Sequence, residues 1–146
     1  MHVYLNCCCL QRPYDDQTQP RIRVETEAVL ALLALVQTGD IGLLSSEALE
    51  YELARIPDEA RRCDATSLLS LAERRLLITN EAELLAEQIQ EKGIAAMDAV
   101  HLAVASSAGA DFFVTCDDRL LRTGRSIPGL KCKVVSLFEM ISEALE

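Results

Sequence analysis

The sequence predicts an α/β fold with a parallel central sheet flanked by helices on both faces. Short apolar runs, typical of strands buried on both faces, alternate with longer helical patterns along the whole chain. The clearest stretch runs from Gly93 to Leu121, where an apolar helix, a glycine stop and a short apolar strand follow one another. With 146 residues, half of them hydrophobic, the chain is expected to form a single domain spanning residues 1–146.

The N-terminal part begins with an apolar segment and continues into a long helix. His2–Cys9 is apolar except for Asn6, which predicts a central strand with one polar residue near its end. A polar side chain there either bonds to nearby backbone or faces a site at the strand tip. Leu10–Pro20 is predicted to be a loop. Apolar residues at helical spacing then predict an amphipathic helix over Arg21–Thr38, which ends at Gly39.

The middle of the chain repeats the alternation of strand and helix. Ile41–Leu44 is the second predicted strand, and a helix over Glu47–Ile56 carries Glu52 at the edge of its apolar face. The next predicted elements are a helix over Asp58–Ala72, a short strand or extended link over Leu76–Ile78, and a helix over Asn80–Gly93 that opens with the capping-box pattern Asn80-x-x-Glu83.

The C-terminal part holds the most informative acids. Ile94–Ala105 predicts a buried helix, and Asp98 lies inside it, where an unpaired charge costs several kcal/mol. Phe112–Val114 predicts a strand followed by Asp117 and Asp118, of which Asp117 can also be the N-cap of the next helix. The last predicted elements are a short helix to Leu121, a loop over Thr123–Gly129, a strand over Lys133–Leu137 and a helix over Phe138–Leu145.

Charge and composition exclude several classes of function. The net charge of −9 argues against broad, nonspecific nucleic-acid binding, which depends on basic residues that neutralise phosphates. Aromatic residues are too few to form stacking platforms for single strands. No basic, apolar leader and no membrane span is visible, so we expect a cytoplasmic protein that does not contact the membrane.

The six cysteines do not have the spacing of a zinc site. Cys7, Cys8 and Cys9 are consecutive, the other three are isolated, and no CxxC pair exists. Neighbouring residues of a strand also point to opposite faces, which argues against clustering. We therefore expect all six thiols to be reduced and free of metal.

Polar groups are predicted at several ends of strands and helices. They are Asn6, Glu52, Asp98 and Asp117, with Asp118 adjacent. Hard oxygen ligands gathered at the carboxyl ends of parallel strands suit Mg²⁺ or Mn²⁺ rather than zinc. Nucleotide-binding glycine loops and a Ser-His-Asp set are missing. His101, one helical turn after Asp98, is expected to be structural.

Four motifs in order, VYLNCCCLQRP, YEL, AAMDAVHLAVA and VTCDDRLL, resemble those of the PIN domain family, in particular its small bacterial toxin (VapC-like) type. This resemblance covers essentially the whole chain. It implies metal-dependent cleavage of RNA, with Mg²⁺ or Mn²⁺ as cofactor. It also implies Glu52, Asp98 and Asp117 as acidic catalytic and metal-binding residues, with Asp118 as a helper. The partners it implies are an RNA substrate, a cognate antitoxin and a second copy of the chain.

The chain departs from the family at the first acid, where it carries Asn6. An amide can ligate a metal but brings no charge, and one charge against a dication at 4 Å is worth about 8 kcal/mol before desolvation, at an effective dielectric near 20. Activity is therefore expected to be weakened or abolished, unless Asp15 or Asp16 replaces the missing acid. The nearest basic residues to the acids, Arg55, Arg119 and Arg122, are the candidates for binding phosphates.

Two other classes of function remain open. The first is a catalytically inactive protein that keeps the fold for binding an antitoxin or a second copy; Asn6 favours this reading, whereas the three remaining acids favour catalysis. The second is a phosphotransfer domain, which needs a lysine near one acid. Only Lys92, Lys131 and Lys133 are available, which makes it the weakest alternative.

Overall fold

The protein, described over residues 1–146 by a computed structural model, contains one five-stranded sheet and eight α-helices. The strands are β1 (His2–Leu5), β2 (Gly42–Ser46), β3 (Arg74–Leu76), β4 (Phe112–Val114) and β5 (Lys133–Val135). The helices are α1 (Cys7–Gln11), α2 (Pro20–Gln37), α3 (Glu47–Ala54), α4 (Glu59–Leu68), α5 (Asn80–Glu91), α6 (Ala96–Ser107), α7 (Asp118–Arg125) and α8 (Leu137–Leu145). All strand pairs are parallel, in the order β3-β2-β1-β4-β5, which confirms the predicted fold class.

The central strand β1 lies between β2 and β4, so the chain winds away from it in both directions. In register, Tyr4 pairs with Leu44 on one side and with Phe113 on the other. In parallel sheets with this kind of order, the crevice for ligands forms beyond the carboxyl ends of the strands at which the winding reverses. In this fold, a ligand site is therefore expected beside the residues that follow β1 and β4.

The core beneath this crevice is aliphatic with two stacked aromatic rings. Tyr4 and Phe113 are fully buried, and their ring centroids lie 5.5 Å apart at an interplanar angle of 15°. Helix α6 packs against α5 and α3, while α2 packs against α8. None of the helices is both long and apolar enough to cross a membrane.

The first strand is shorter than predicted, because Asn6 ends it. The Asn6 side chain accepts a hydrogen bond from the backbone N–H of Cys7 at 3.0 Å and caps helix α1. The prediction that the strand continues to Cys9 is therefore wrong. The apolar run is equally compatible with a buried strand or a buried helix, so its composition does not reveal where one changes into the other.

Several other boundaries differ by one turn or less. Thr79, and not Asn80, is the cap of α5, since its side chain accepts a hydrogen bond from the N–H of Ala82. Helix α4 ends at Leu68 and continues as a short 3₁₀ turn. Helix α7 runs past Leu121 to Arg125. The boundaries of β4 are as predicted, and so is the cap of α7 by Asp117.

Candidate metal and nucleic-acid site

The ends of β1 and β4 are joined by hydrogen bonds at the crevice. The backbone N–H of Asn6 donates to the carbonyl oxygen of Val114 at 2.9 Å, and its Nδ2 donates to Thr115 Oγ1 at 3.1 Å. Because Asn6 Oδ1 already accepts from the N–H of Cys7, both ends of the amide have internal partners. Asn6 is 4% exposed, so it lies at the strand tip but beneath the surface.

Thr115 connects three parts of this edge. Besides accepting from Asn6, its Oγ1 accepts from the backbone N–H of Asp117 at 3.1 Å and lies 3.5 Å from the Sγ of Cys8. The residue is fully buried. Thr115 therefore fixes the positions of the predicted first ligand and of the loop that carries Asp117.

Asp98 is a half-buried acid without a partner. It lies in the first turn of α6, and its carboxylate makes no hydrogen bond or ion pair with any protein group. With Asp117 and Arg119 it lines an open cavity of about 550 Å³. Burial raises the pKa of Asp98; His101 opposes this shift, and the carboxylates of Glu52 and Asp117 add to it. A carboxylate in this position suits a bound cation.

Glu52 belongs to a hydrogen-bonded chain that reaches into the core. The Nε2 of the fully buried His101 lies 2.6 Å from Glu52 Oε1, and its Nδ1 lies 2.6 Å from Tyr4 Oη. Tyr4 Oη is in turn 2.8 Å from Ser46 Oγ, which accepts from the N–H of Leu49. Because a carboxylate oxygen only accepts, Nε2 of His101 donates to Glu52, whereas Nδ1 and the Tyr4 hydroxyl can take either role. His101 thus fixes the orientation of Glu52.

The three acids share one edge of the sheet but do not form a closed coordination shell. Glu52 faces a second open cavity, of about 770 Å³, which it shares with Arg55 and Arg61. No three carboxylate oxygens lie within 4.8 Å of one another. The separation follows from competing partners, because His101 holds Glu52 and the backbone N–H groups at the start of α7 bind Asp117.

The neighbouring acids have other partners. Asp118 forms a two-pronged ion pair with Arg21, at 2.7 and 2.8 Å, on the exposed surface. Asp15 pairs with Arg12 at 2.9 Å and with Arg61 at 2.7 Å. Asp16 is fully exposed and accepts from the Thr18 backbone and hydroxyl. Asp15 and Asp16 are therefore both bound by other groups of the chain, as Asp118 is.

The three arginines predicted to bind phosphates lack carboxylate partners. Neither Arg55, Arg119 nor Arg122 takes part in an ion pair, whereas five other arginines do. The guanidinium of Arg55 lies 5.3 Å from the ring centroid of Tyr51, beside the Glu52 cavity. Arg119 lines the cavity of Asp98 and Asp117. Unpaired cations on both sides of the acids suit an anionic ligand.

Three cysteines cluster beside the same edge. The Sγ atoms of Cys8, Cys9 and Cys116 all lie within 4.8 Å of one another. The adjacent thiols of Cys116 and Cys9 lower the pKa of Cys8, whereas burial raises the pKa of Cys9. The expectation that these thiols cannot cluster is wrong, because Cys7–Cys9 form the first turn of a helix and not a strand.

Sequence reasoning missed the structural partners of the acids. His101 was expected to be structural, and it is fully buried, yet one of its nitrogens holds Glu52. Its spacing from Asp98 gave no sign of this contact, because Glu52 lies on a different helix. Tyr4 and Thr115 gave no signal, because their roles depend on strands that pair only in the folded protein.

Comparisons with known proteins identify the family. No protein of curated function matches the chain. Among solved structures, VapBC2 from Rickettsia felis bound to a DNA fragment from their promoter shares 16% identity at a TM-score of 0.58, covering 93% of this chain and 98% of that one. FitAB bound to an IR36 DNA fragment shares 18% identity at a TM-score of 0.61, covering 93% of this chain and 95% of that one. These identities indicate a similarity of fold. Residues 21–126 match the PIN domain, and the chain therefore belongs to the PIN domain family.

Proposed function

We propose that the protein is a divalent-metal-dependent endoribonuclease, the toxin of a toxin–antitoxin pair, whose activity is weakened by Asn6. The observation that carries this proposal is the state of Asp98. It is a half-buried carboxylate without a protein partner, it shares a cavity with Asp117, and its pKa is raised by burial and by neighbouring acids. An acid in such a place favours a cationic ligand.

PIN domain nucleases typically use divalent metal ions. In this chain, Asp98 and Asp117 would hold the ion, with Glu52 beside them and Asp118 as a possible helper after release from Arg21. Carboxylate oxygens suit Mg²⁺ or Mn²⁺. When bound, the ion would lower the pKa of a water molecule and stabilise the charge that develops on a phosphate.

The residues of the chain supply orientation and charge. His101 donates to Glu52 and holds its carboxylate at the cavity edge, where it can accept a proton from water. Arg55, Arg119 and Arg122 have guanidinium groups available for the phosphates of RNA. The overall negative charge restricts such binding to this edge.

Asn6 weakens the proposed site in two ways. The amide contributes no charge to a cation, and both of its polar atoms already take part in internal hydrogen bonds. Asp15 and Asp16 have partners elsewhere, which supports a loss of activity that no neighbouring acid repairs.

The proposal also covers the domain organisation of the protein, its location in the cell and its binding partners. We infer that residues 1–146 form one PIN-like domain that acts in the cytoplasm. A cognate antitoxin would bind it, as the paired composition of the VapBC2 and FitAB structures suggests for those proteins. Apolar side chains on the surface of α2 and α5, such as Val24, Leu30 and Leu84, are 51 to 62% exposed and support a homodimer.

The alternative is a catalytically inactive PIN-fold protein that acts by binding an antitoxin or a second copy. One observation favours it: the three acids do not approach one another closely enough to share an ion, and Asn6 is satisfied without one. This alternative predicts that removal of an acid leaves partner binding unchanged.

The test is metal-dependent cleavage of a mixed RNA pool. The protein is incubated with Mg²⁺ or with Mn²⁺, beside Asp98→Asn as the inactive variant and Asp64→Asn as an exposed control. Our proposal predicts slow cleavage that requires metal, disappears in Asp98→Asn and persists in Asp64→Asn. Equal cleavage by all three proteins would show a contaminating nuclease and remove the support for this function.

A further inference from the structure

The cluster of Cys8, Cys9 and Cys116 lies outside the proposed acidic site and has no part in the chemistry derived for it. Cys8 and Cys9 come from the first turn of α1, and Cys116 follows β4 more than a hundred residues later in the chain. The backbone N–H of Cys116 donates to Cys8 Sγ at 3.4 Å, which joins the two segments. The pairing of β1 with β4 thus brings three sulfurs together that the sequence separates.

The spacing of these sulfurs suits a single metal ion. All three Sγ atoms lie within 4.8 Å of one another. Three sulfurs placed around a central ion at a bond length of about 2.3 Å stand about 4 Å apart in a trigonal plane. The observed separations are therefore of the size that binding of one ion requires.

The surroundings suit a negatively charged sulfur cluster. Arg12 Nη2 donates to Cys116 Sγ at 3.0 Å, while the same guanidinium also pairs with Glu25 at 3.4 Å and with Asp15 at 2.9 Å. Thr115 Oγ1 lies 3.5 Å from Cys8 Sγ. A guanidinium and an N–H group directed at the sulfurs are the kind of outer contacts that stabilise metal-bound thiolates.

Solvent access to the three sulfurs and the softness of thiolate ligands determine which metal ion fits the cluster. Cys9 is fully buried and Cys116 is 8% exposed, whereas Cys8 is partly open to solvent and provides an entry path. Thiolates select soft ions such as Cu(I) and Zn²⁺ over Mg²⁺. No histidine or carboxylate joins the three sulfurs, so four-coordinate Zn²⁺ would need a water molecule as its fourth ligand.

In place of the expectation that all six thiols are free of metal, we propose that Cys8, Cys9 and Cys116 form a three-coordinate site for a soft, thiophilic cation, with Cu(I) as its best occupant. The three sulfurs bind the ion directly. Arg12 and the Cys116 N–H act as positioning groups that offset the negative charge of the thiolates. The two sites adjoin through Thr115, which contacts Cys8, Asn6 and the N–H of Asp117, but they share no ligand. Failure of Cu(I) binding would therefore leave the proposed ribonuclease function intact.

The sequence offers a sharp control, because Cys7 is adjacent to the cluster in sequence but outside it in space. Cys7 Sγ accepts from Gln11 Nε2 at 3.4 Å and is not part of the three-sulfur group. If Cys7–Cys9 bound metal only because they are consecutive in sequence, loss of Cys7 would weaken metal binding and loss of Cys116 would not. The folded site predicts the reverse.

The experiment titrates the reduced, metal-free protein anaerobically with Cu(I) against a coloured Cu(I) chelator, and in parallel with Zn²⁺ against a zinc chelator. Wild type and Cys7→Ala are expected to bind one Cu(I) per chain, with an ultraviolet sulfur-to-metal absorption band. Cys8→Ser and Cys116→Ser should each bind about 100-fold more weakly, since loss of a direct ligand costs at least as much as loss of an outer contact. The exposed Cys63→Ser should match wild type.

Circular dichroism of the metal-free variants establishes that each is folded. If Cys116→Ser does not fold, the partly exposed Cys8→Ser decides the matter. Equal binding by wild type and Cys8→Ser, equal losses in Cys7→Ala and Cys116→Ser, or failure of the wild type to compete with the chelator would each overturn the site. Tighter binding of Zn²⁺ than of Cu(I) would overturn its three-coordinate assignment.

Discussion

His101 Nε2 lies 2.6 Å from Glu52 Oε1, and this contact joins the predicted acidic edge to the core of the sheet. The other imidazole nitrogen is bound by Tyr4, which is fixed by Ser46. Because the chain of hydrogen bonds ends in buried groups, Glu52 has little freedom to rotate. Its orientation is therefore set by the fold before any ligand arrives.

The first prediction concerns His101 as a positioning residue. His101→Leu removes the donor to Glu52 and should lower the rate of RNA cleavage by about 10- to 100-fold, as for outer contacts of other metal sites. His101→Gln, whose amide N–H can occupy the position of Nε2, should recover part of the rate. Cleavage is measured with Mn²⁺ in the Asn6→Asp background, where activity is expected to be highest.

The control for this prediction is the other histidine. His2 is 43% exposed in its side chain and pairs with Glu73 at the opposite end of β1. His2→Gln should leave cleavage unchanged. An equal loss in His101→Leu and His101→Gln, with both proteins folded, would contradict the positioning role.

A second prediction concerns how much the Asp98 carboxylate lowers the free energy of unfolding of the metal-free protein. Burial raises the pKa of Asp98 in the folded state above its ordinary value of 3.8. At pH values between these two pKa values, the folded protein therefore binds more protons than the unfolded chain. Stability is thus highest below the ordinary pKa and is lost as pH rises through the raised pKa. At neutral pH, Asp98→Asn should be more stable than wild type.

Urea unfolding of both proteins from pH 4 to pH 8 measures this difference. The gap in unfolding free energy should widen with pH and then level off. Asp64→Asn, an exposed position on α4, should show no such gap. A lower stability of Asp98→Asn at neutral pH would mean that the Asp98 carboxylate has a stabilising partner.

The two roles of Asp117 can be separated by a third pair of variants. Its Oδ1 accepts from the N–H groups of Arg119 and Leu120 and caps α7, so Asp117→Ala should cost about 1 kcal/mol of stability. Asp117→Asn keeps a capping oxygen and should cost much less. Both variants should lose Mn²⁺ affinity, because both remove the charge.

Denaturation curves and Mn²⁺ titrations of the two variants provide the measurement. A stability loss in Asp117→Ala without any loss of metal affinity in either variant would leave Asp117 a helix cap and nothing more. Retained affinity in Asp117→Asn alone would mean that an oxygen ligand suffices without its charge.

The fourth prediction is a homodimer in solution. Leu30 on α2 and Leu84 on α5 are 53% and 62% exposed, and burial of such side chains against a second copy removes apolar surface from water. Sedimentation velocity at high concentration should give a dimer for wild type, and a monomer for Leu30→Glu or Leu84→Glu. Tyr51→Glu, outside both helices, serves as the control; a monomer for wild type would refute the dimer.

The sequence was sufficient for the fold class because apolar runs and helical periods alternate clearly along the chain. It located β4 and the cap at Asp117, where short-range signals determine the structure. It failed at Cys7–Cys9, where a buried strand and a buried helix have the same composition. The boundary there depends on one capping hydrogen bond made by Asn6.

In the candidate site, too, features that depend on short-range patterns were predicted, and contacts between distant residues were not. Sequence patterns located Asp98 and Asp117 at the edge of the sheet, because each is near the end of an apolar element. They could not reveal that His101 holds Glu52, since this contact joins residues 49 positions apart. The cysteine cluster was equally hidden, because Cys8 and Cys116 meet only through strand pairing.

Asn6 bears most directly on the proposed function. In Asn6→Asp, Thr115 can rotate its hydroxyl to donate to the new carboxylate in place of accepting from the amide, so the fold is expected to tolerate the change. The added charge is buried and linked through Thr115 to the backbone of Asp117, so it should lower the stability of the metal-free protein. Mg²⁺ or Mn²⁺ should restore that stability by binding the folded state.

The decisive measurement compares wild type with Asn6→Asp in thermal melts with and without Mn²⁺, together with cleavage of a mixed RNA pool. We predict that Asn6→Asp melts at a lower temperature without metal, shows a larger metal-induced rise, and cleaves RNA at least about 10-fold faster, which corresponds to 1.4 kcal/mol. If the metal-induced shift and the cleavage rate are the same in both proteins, position 6 does not belong to a metal site, and the proposed ribonuclease loses its central residue.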